Sequence, residues 1–205
     1  MKKNFCACAV IFTVIVLVAV GCGRGGNGGG SGESVLLTVG ERPIGETEAY
    51  YFLYSSAHMM RSLFPYIGWT DVIEGVAVND FIKNEAVGAM RRYYVIHEKA
   101  AELSAGLTEM QESELDGLWD DLIRYHGSEE ALLAQLEQDG INGELLRYFN
   151  ETTLLYENLW ELYSDTFSET EFSMLIEDWI EEVPYTLSEE FISLDIKELY
   201  ERLSR

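Results

Sequence analysis

Residues 36 to 64 read LLTVGERPIGETEAYYFLYSSAHMMRSLF, and the frame of the chain follows from them. Leu36, Leu37, Thr38 and Val39 have the apolar and β-branched content of a short strand. Arg42-Pro43-Ile44 returns beside it across a corner at Gly40-Glu41. Pro43 has no amide hydrogen to give a ladder, so the second arm belongs at a sheet edge. Gly45 stands where a helix N-cap is needed. Glu48, three residues on, occupies the back-reaching position of a capping box. From there Ala49, Phe52, Leu53, Ser56, Met59, Met60 and Leu63 recur at helical spacing and predict one apolar face. Pro65 ends that helix.

Working outward, residues 65 to 79, PYIGWTDVIEGVAVN, read as a loop with turn signals at Gly68 and Gly75. The loop is unusually apolar, with Tyr66, Ile67, Trp69, Val72 and Ile73, and it either folds back on the core or is presented for binding. Asp80 opens a long helix with Phe81, Ile82, Ala86, Ala89, Met90, Tyr93, Ile96, Ala100 and Leu103 inward. Gly106 is placed as its left-handed C-terminal residue. Thr108 with Gln111 caps a third helix running to about Tyr125, with Leu115, Leu118, Trp119, Leu122 and Ile123 inward. His126-Gly127-Ser128 breaks it, and a short fourth helix carries Leu132, Leu133 and Leu136. Gly140 and Asn142 restart the chain into a fifth helix, about 143 to 167. Ser168 and Glu171 cap a sixth, Pro184-Tyr185-Thr186 is extended, and a last helix begins at Asp195.

Two blocks carry a resemblance. The strand, Val39-Gly40, Ile44, helix cap, acidic residue and aromatic resemble the start of the N-terminal domain of SurA/PrsA-type extracytoplasmic foldases. That family usually has Asn-Gly at the corner and Ser or Thr at the cap, where this chain has Val39-Gly40 and Gly45. Residues 80 to 111, DFIKNEAVGAMRRYYVIHEKAAELSAGLTEMQ, look like the second helix of those domains and its capped restart, and GSEEALLAQLEQDGI (127 to 141) is similar to a further unit. The resemblance covers about Leu36 to Phe167 and, more weakly, the tail. It implies a mostly α fold: an orthogonal array of about six to seven helices, a minor N-terminal β-hairpin, and a C-terminal helix packed back on the N-terminal unit. Residues 35–167 form the N-domain and 168–205 its returning segment. Family members often carry a parvulin domain after the N-domain, with a His-Ile-Leu strand and a Gly-Gly-x-Leu-Gly stretch; this sequence has neither.

The first residues read as an export signal. Lys2-Lys3 precede an apolar run from Phe5 to Val20, which as a helix spans about 24 Å, short of a hydrocarbon core of about 30 Å. Ala19-Val20-Gly21-Cys22 is similar to a bacterial lipobox, with Ala19 where Leu is usual. The expectation is a signal peptide over 1–21, lipid on Cys22 and a Gly-rich tether over 22–34, placing the body outside the cytoplasm on the cell membrane. A soluble secreted form is the other reading. Cys6 and Cys8 fall in the leader, which leaves no thiol in the body for a disulfide, a metal or a nucleophile. Gly23, Gly25 and Gly28 match a dinucleotide fingerprint by chance, without strand or helix around them.

With 36 acids against 14 Lys and Arg, the net charge is −22. Nucleic acid and anionic lipid surfaces repel such a body. His58, His97 and His126 are isolated, and no metal spacing or cofactor motif can be built from them. Asn150-Glu151-Thr152 matches a glycosylation pattern but lies mid-helix. Adjacent acids such as Asp120-Asp121 diverge on a helix rather than converge. What remains is binding. Met59, Met60, Phe64, Tyr66 and Trp69 offer soft and aromatic area suited to unfolded or extended polypeptide, or else they are core. The functional expectation is a tethered holdase without isomerase activity; an envelope adaptor with one folded partner is the alternative.

Overall fold

The computed structural model describes residues 34–204. The leader, Cys22 and nearly all of the tether lie outside the described residues. The elements run β1 (Val35–Val39), β2 (Arg42–Gly45), α1 (Glu46–Leu63), β3 (Val72–Ile73), β4 (Val76–Ala77), α2 (Val78–Glu102) and α3 (Glu109–His126). They continue through α4 (Glu129–Gln138), α5 (Gly143–Tyr163), α6 (Glu169–Glu182), β5 (Tyr185–Leu187), α7 (Glu189–Ser193) and α8 (Ile196–Leu203). The fold is mostly α, with eight helices among the described residues.

β1 is the centre of an antiparallel three-stranded sheet ordered β2-β1-β5. Partners on both edges and cover on both faces explain its apolar content: Leu36, Leu37 and Val39 are all buried. Pro43 sits on the edge strand β2, as its missing amide hydrogen requires. The third strand is the returning tail. Gly40 N–H donates to Pro184 O at 2.8 Å and Ser188 N–H to Leu36 O at 2.9 Å. Gly40 has φ +58°, and a β-carbon there would lie 2.3 Å from Tyr94 Cζ. The corner therefore needs glycine twice over, for its backbone angle and for its contact with α2.

Helix α2 is the spine. Its first half packs with β1, β2, α1, α7, α8 and the start of α5 around Leu53, Ile82, Met90 and Phe191. Its second half packs with α5 and α6 around Leu159, Phe172 and Ile176. A small third cluster, Leu132, Leu136 and Leu146, joins α4 to α5 with Trp119 of α3 against it. Polar side chains of α2 also hold the tail. Asn79 accepts from Ile196 N–H at 2.8 Å, Lys83 Nζ donates to Ile192 O at 2.6 Å, and Arg91 donates to Val183 O at 3.2 Å and to Ile180 O. The last carbonyls of α6 and α7, which no helical turn follows, are met in this way.

Several local expectations change. Glu48 does not close a capping box; Arg42 takes both of its oxygens at 2.7 and 2.6 Å, a bidentate pairing stronger than a bond to one backbone amide. The C-terminal motif of α2 falls at Ser104 (φ +57°), not Gly106. Ser104 N–H bonds Ala101 O and Ala105 N–H bonds Ala100 O, burying Ala105 beside Ala100. Residues 72–77 form a hairpin with Glu74-Gly75 at positive φ, so α2 starts at Val78 rather than Asp80. The fifth helix stops at Tyr163. Ser56 gives way to Ala57 inside α1, and Leu63, Leu103, Leu118 and Leu133 are exposed. α7, capped by Ser188, was not anticipated.

Candidate functional site

The five expected binding residues do not form one groove. Met60 is buried in the core and Met59 is half-buried. Trp69 is fixed in place: its ring lies 5.4 Å from that of Tyr200 on α8, and the Arg61 guanidinium stands 5.5 Å over its centroid. Arg61 also donates to Ile67 O, tying the loop to the last turn of α1. Phe64 and Tyr66 are the exposed members, edge to face at 6.3 Å, with Tyr66 79% accessible.

Other apolar side chains join them at this end of the molecule. Leu63 is 60% and Val72 64% accessible, and Val76 is also exposed. Because α1 and α2 are packed neighbours joined by this short excursion, the end of α1, the loop and the hairpin share one end of the bundle. Ile67 and Ile73 turn inward as anchors. The loop is thus divided: Ile67, Trp69 and Ile73 pack onto the core, while Tyr66 and Val72 are exposed. Leu63 and Val76 were missed, since helical spacing put Leu63 inside and no pattern marks two-residue strands.

A second feature lies at the opposite end of α1. A groove of about 790 Å³ opens between the β1–β2 corner and α2, lined by Gly40, Glu41, Arg42, Tyr94, His97, Glu98, Tyr148 and Pro184. Its floor is a stack: Arg42 lies 4.3 Å over the Tyr148 ring, and His97 stacks on that ring at 4.6 Å and 19°. His97 Nε2 is 2.8 Å from Thr152 Oγ1, which itself donates to Tyr148 O. The threonine hydroxyl must therefore accept, which makes Nε2 the protonated nitrogen. Burial, helped by the Arg42 charge, pushes the His97 pKa down to about 4, so the ring is neutral at ordinary pH. Burial raises the Tyr148 hydroxyl, which has no hydrogen-bond partner among the described residues. Thr152 is 4% accessible, so the glycosylation pattern is spent on internal bonding.

The charge pattern is equally uneven. Each Lys and Arg among the described residues is engaged by a carboxylate, a carbonyl or a ring, from Arg42 on Glu48 to Arg202 over Tyr50. Most of the acids among the described residues pair with no Lys or Arg, and the surface field is negative. Among the described residues no group of three or more His, Cys, Asp or Glu is placed to hold a metal ion, and no helix is long and apolar enough to cross a membrane.

No protein-family model matches this chain, and no curated protein or solved structure matches it either.

Proposed function

We propose that this chain is a membrane-tethered, extracytoplasmic holdase of the SurA/PrsA foldase kind, gripping unfolded or extended polypeptide without isomerase activity of its own. The observation that carries the reading is the run of exposed apolar side chains Leu63, Phe64, Tyr66, Val72 and Val76 within one short stretch at one end of the bundle, whereas the other exposed ones, such as Met110, Tyr125, Met174 and Ile192, are spread along the chain. The order of elements and the returning tail agree with the resemblance in residues 36 to 167. Helices α5 and α6 are joined by residues 164 to 168 alone, a connection with no inserted domain. The lipobox-like Ala19-Val20-Gly21-Cys22 supports the anchor and the location.

The test is aggregation of a chemically denatured client with the full chain present in mild detergent. Aggregation slows with the wild type and not with the Phe64→Ser, Tyr66→Ser, Val72→Ser variant, while proline isomerisation stays at its uncatalysed rate. Unchanged aggregation with the wild type would overturn the holdase, and catalysed isomerisation would overturn the non-enzymatic half.

One observation favours the adaptor instead. The Trp69 ring is clamped by Arg61 and Tyr200, and Met60 is buried, which makes part of the surface rigid rather than adaptable. Competition separates the two: unrelated unfolded peptides displace a client from a holdase and leave an adaptor's partner in place.

A further inference from the structure

Extended chains of different sequence have one thing in common, their main chain, and the β3–β4 hairpin at the open end offers a place to bond it. We infer that an extended, basic polypeptide segment adds as a strand to the outer edge of β3, pairing its main chain with that of Val72. The inference rests on the capture reading and says how the capture is made.

The register of the hairpin fixes which groups face outward. Val78 N–H donates to Asp71 O at 3.0 Å, so Asp71 and Val78 are a hydrogen-bonded pair. Ile73 and Val76, two residues along, are the next such pair. Val72 falls between them, opposite Ala77, and directs its own N–H and C=O away from the hairpin. Neither group has a partner among the described residues, and Val72 is 64% accessible. The matching groups of Ala77 are less free, because Ala77 is the N-cap of α2 and its carbonyl accepts the first helical bond. A guest residue opposite Val72 exchanges two main-chain bonds with it, whatever its side chain. That side chain then lies beside Val72, at the end of the bundle where Leu63, Phe64 and Tyr66 are exposed.

Charge selects the occupant. Asp71 and Glu74 bracket β3, both exposed and neither paired with Lys or Arg among the described residues. Arg61, the cation of this loop, is spent on Ile67 O and the Trp69 ring. A second copy of this chain would bring its own Asp71 and Glu74 to the edge and be repelled. In an antiparallel guest, a Lys or Arg two residues before the one opposite Val72 stands across from Glu74. The other open edge receives such a guest poorly. On β5 the bonds from Gly40 to Pro184 and from Ser188 to Leu36 leave Tyr185 and Leu187 facing outward. There the Arg91 guanidinium stands 5.1 Å over the Tyr185 ring and opposes a basic segment.

The experiment titrates the isotopically labelled full chain, in nanodiscs of zwitterionic phospholipid, with acetyl-Lys-Ala-Leu-Ala-Lys-amide. The largest amide shift and the largest slowing of exchange are expected at Val72. N-methylation of the peptide's leucine, which removes the N–H aimed at β3, should weaken binding at least about tenfold. N-methylation of the alanine after it, whose N–H points away, should leave binding nearly unchanged. Replacing both lysines by glutamate, or Glu74→Gln in the protein, should weaken it several-fold, while Glu161→Gln on the exposed surface of α5 should not. Equal losses from the two N-methyl peptides, or shifts centred on Tyr185 and Leu187, would overturn strand addition at β3. Equal binding of the lysine and glutamate peptides would overturn the basic preference. Aggregation of a denatured client scores the capture reading separately. If aggregation is slowed but N-methylation makes no difference, capture stands and strand addition falls; if the peptide adds at Val72 but aggregation is unchanged, the holdase falls and the edge site stands.

Discussion

At its first turn α1 is fastened from several sides. Arg42 clamps Glu48, Gly40 reaches Pro184, and the returning strand β5 completes the sheet beside it. At its last turn the same helix leaves Leu63 and Phe64 in solvent and passes into a loop whose Tyr66 is hardly covered. Stability and surface chemistry are therefore separated along one helix. Substitutions at the fastened end should change folding, and substitutions at the open end should change binding, with little crossover.

The largest expected effect is at the fastened end. Phe191 of α7 is wholly buried with β1 and α1, so Phe191→Ala should cost about 3–5 kcal/mol in urea unfolding. A loss below about 1 kcal/mol would mean that the tail does not hold this end. Next comes Gly40→Ala, at about 2–3 kcal/mol, from the positive φ and the contact with Tyr94 together. Pairing it with Tyr94→Ala should recover the steric part only, leaving the backbone cost visible in the same melts. Lys83→Met should cost about 1 kcal/mol, since the Ile192 carbonyl loses its charged donor at a part-buried contact.

Acid provides a subtler probe. His97 has a pKa of about 4 when folded against an ordinary 6.5. Between those values the unfolded chain takes the proton first, so stability falls as pH drops from about 6.5 to about 4 and no further on this account. After allowing for solvent at the half-buried ring, the contribution is about 1 kcal/mol. His97→Gln should flatten that part of the stability profile relative to wild type. An unchanged slope would place the ring in water. The smallest effect on stability is expected at the open end. Phe64→Ser with Tyr66→Ser should shift unfolding by less than about 0.5 kcal/mol while weakening client capture about tenfold.

What the sequence reveals and what it hides follow the same division. Caps are local chemistry, so Thr108 with Gln111, Ser168 with Glu171, and the breaks at Gly127 and Gly140 are legible from residue order. Glu48 is different, because two local partners compete for it and only geometry gives it to Arg42 rather than to the Gly45 amide. Ser104 takes the left-handed position ahead of the glycine two residues later because that register buries Ala105. Asn79, Lys83 and Arg91 are invisible as fasteners: their partners are main-chain groups, which any residue supplies and no pattern announces. At the candidate site, residue order does not tell exposed from packed: Phe64 and Tyr66 are exposed, whereas Met60 is buried and Trp69 packs against Tyr200. The groove at Glu41 and Glu98 joins residues too far apart in the chain to be read together.

Hydrogen exchange of the full chain with and without a denatured, carboxymethylated client tests the division most directly. Protection should appear at residues 64 to 78, with the amides of β1 and β5 unchanged. Protection arising in the β1–β5 ladder instead, with residues 64 to 78 exchanging as before, would contradict it.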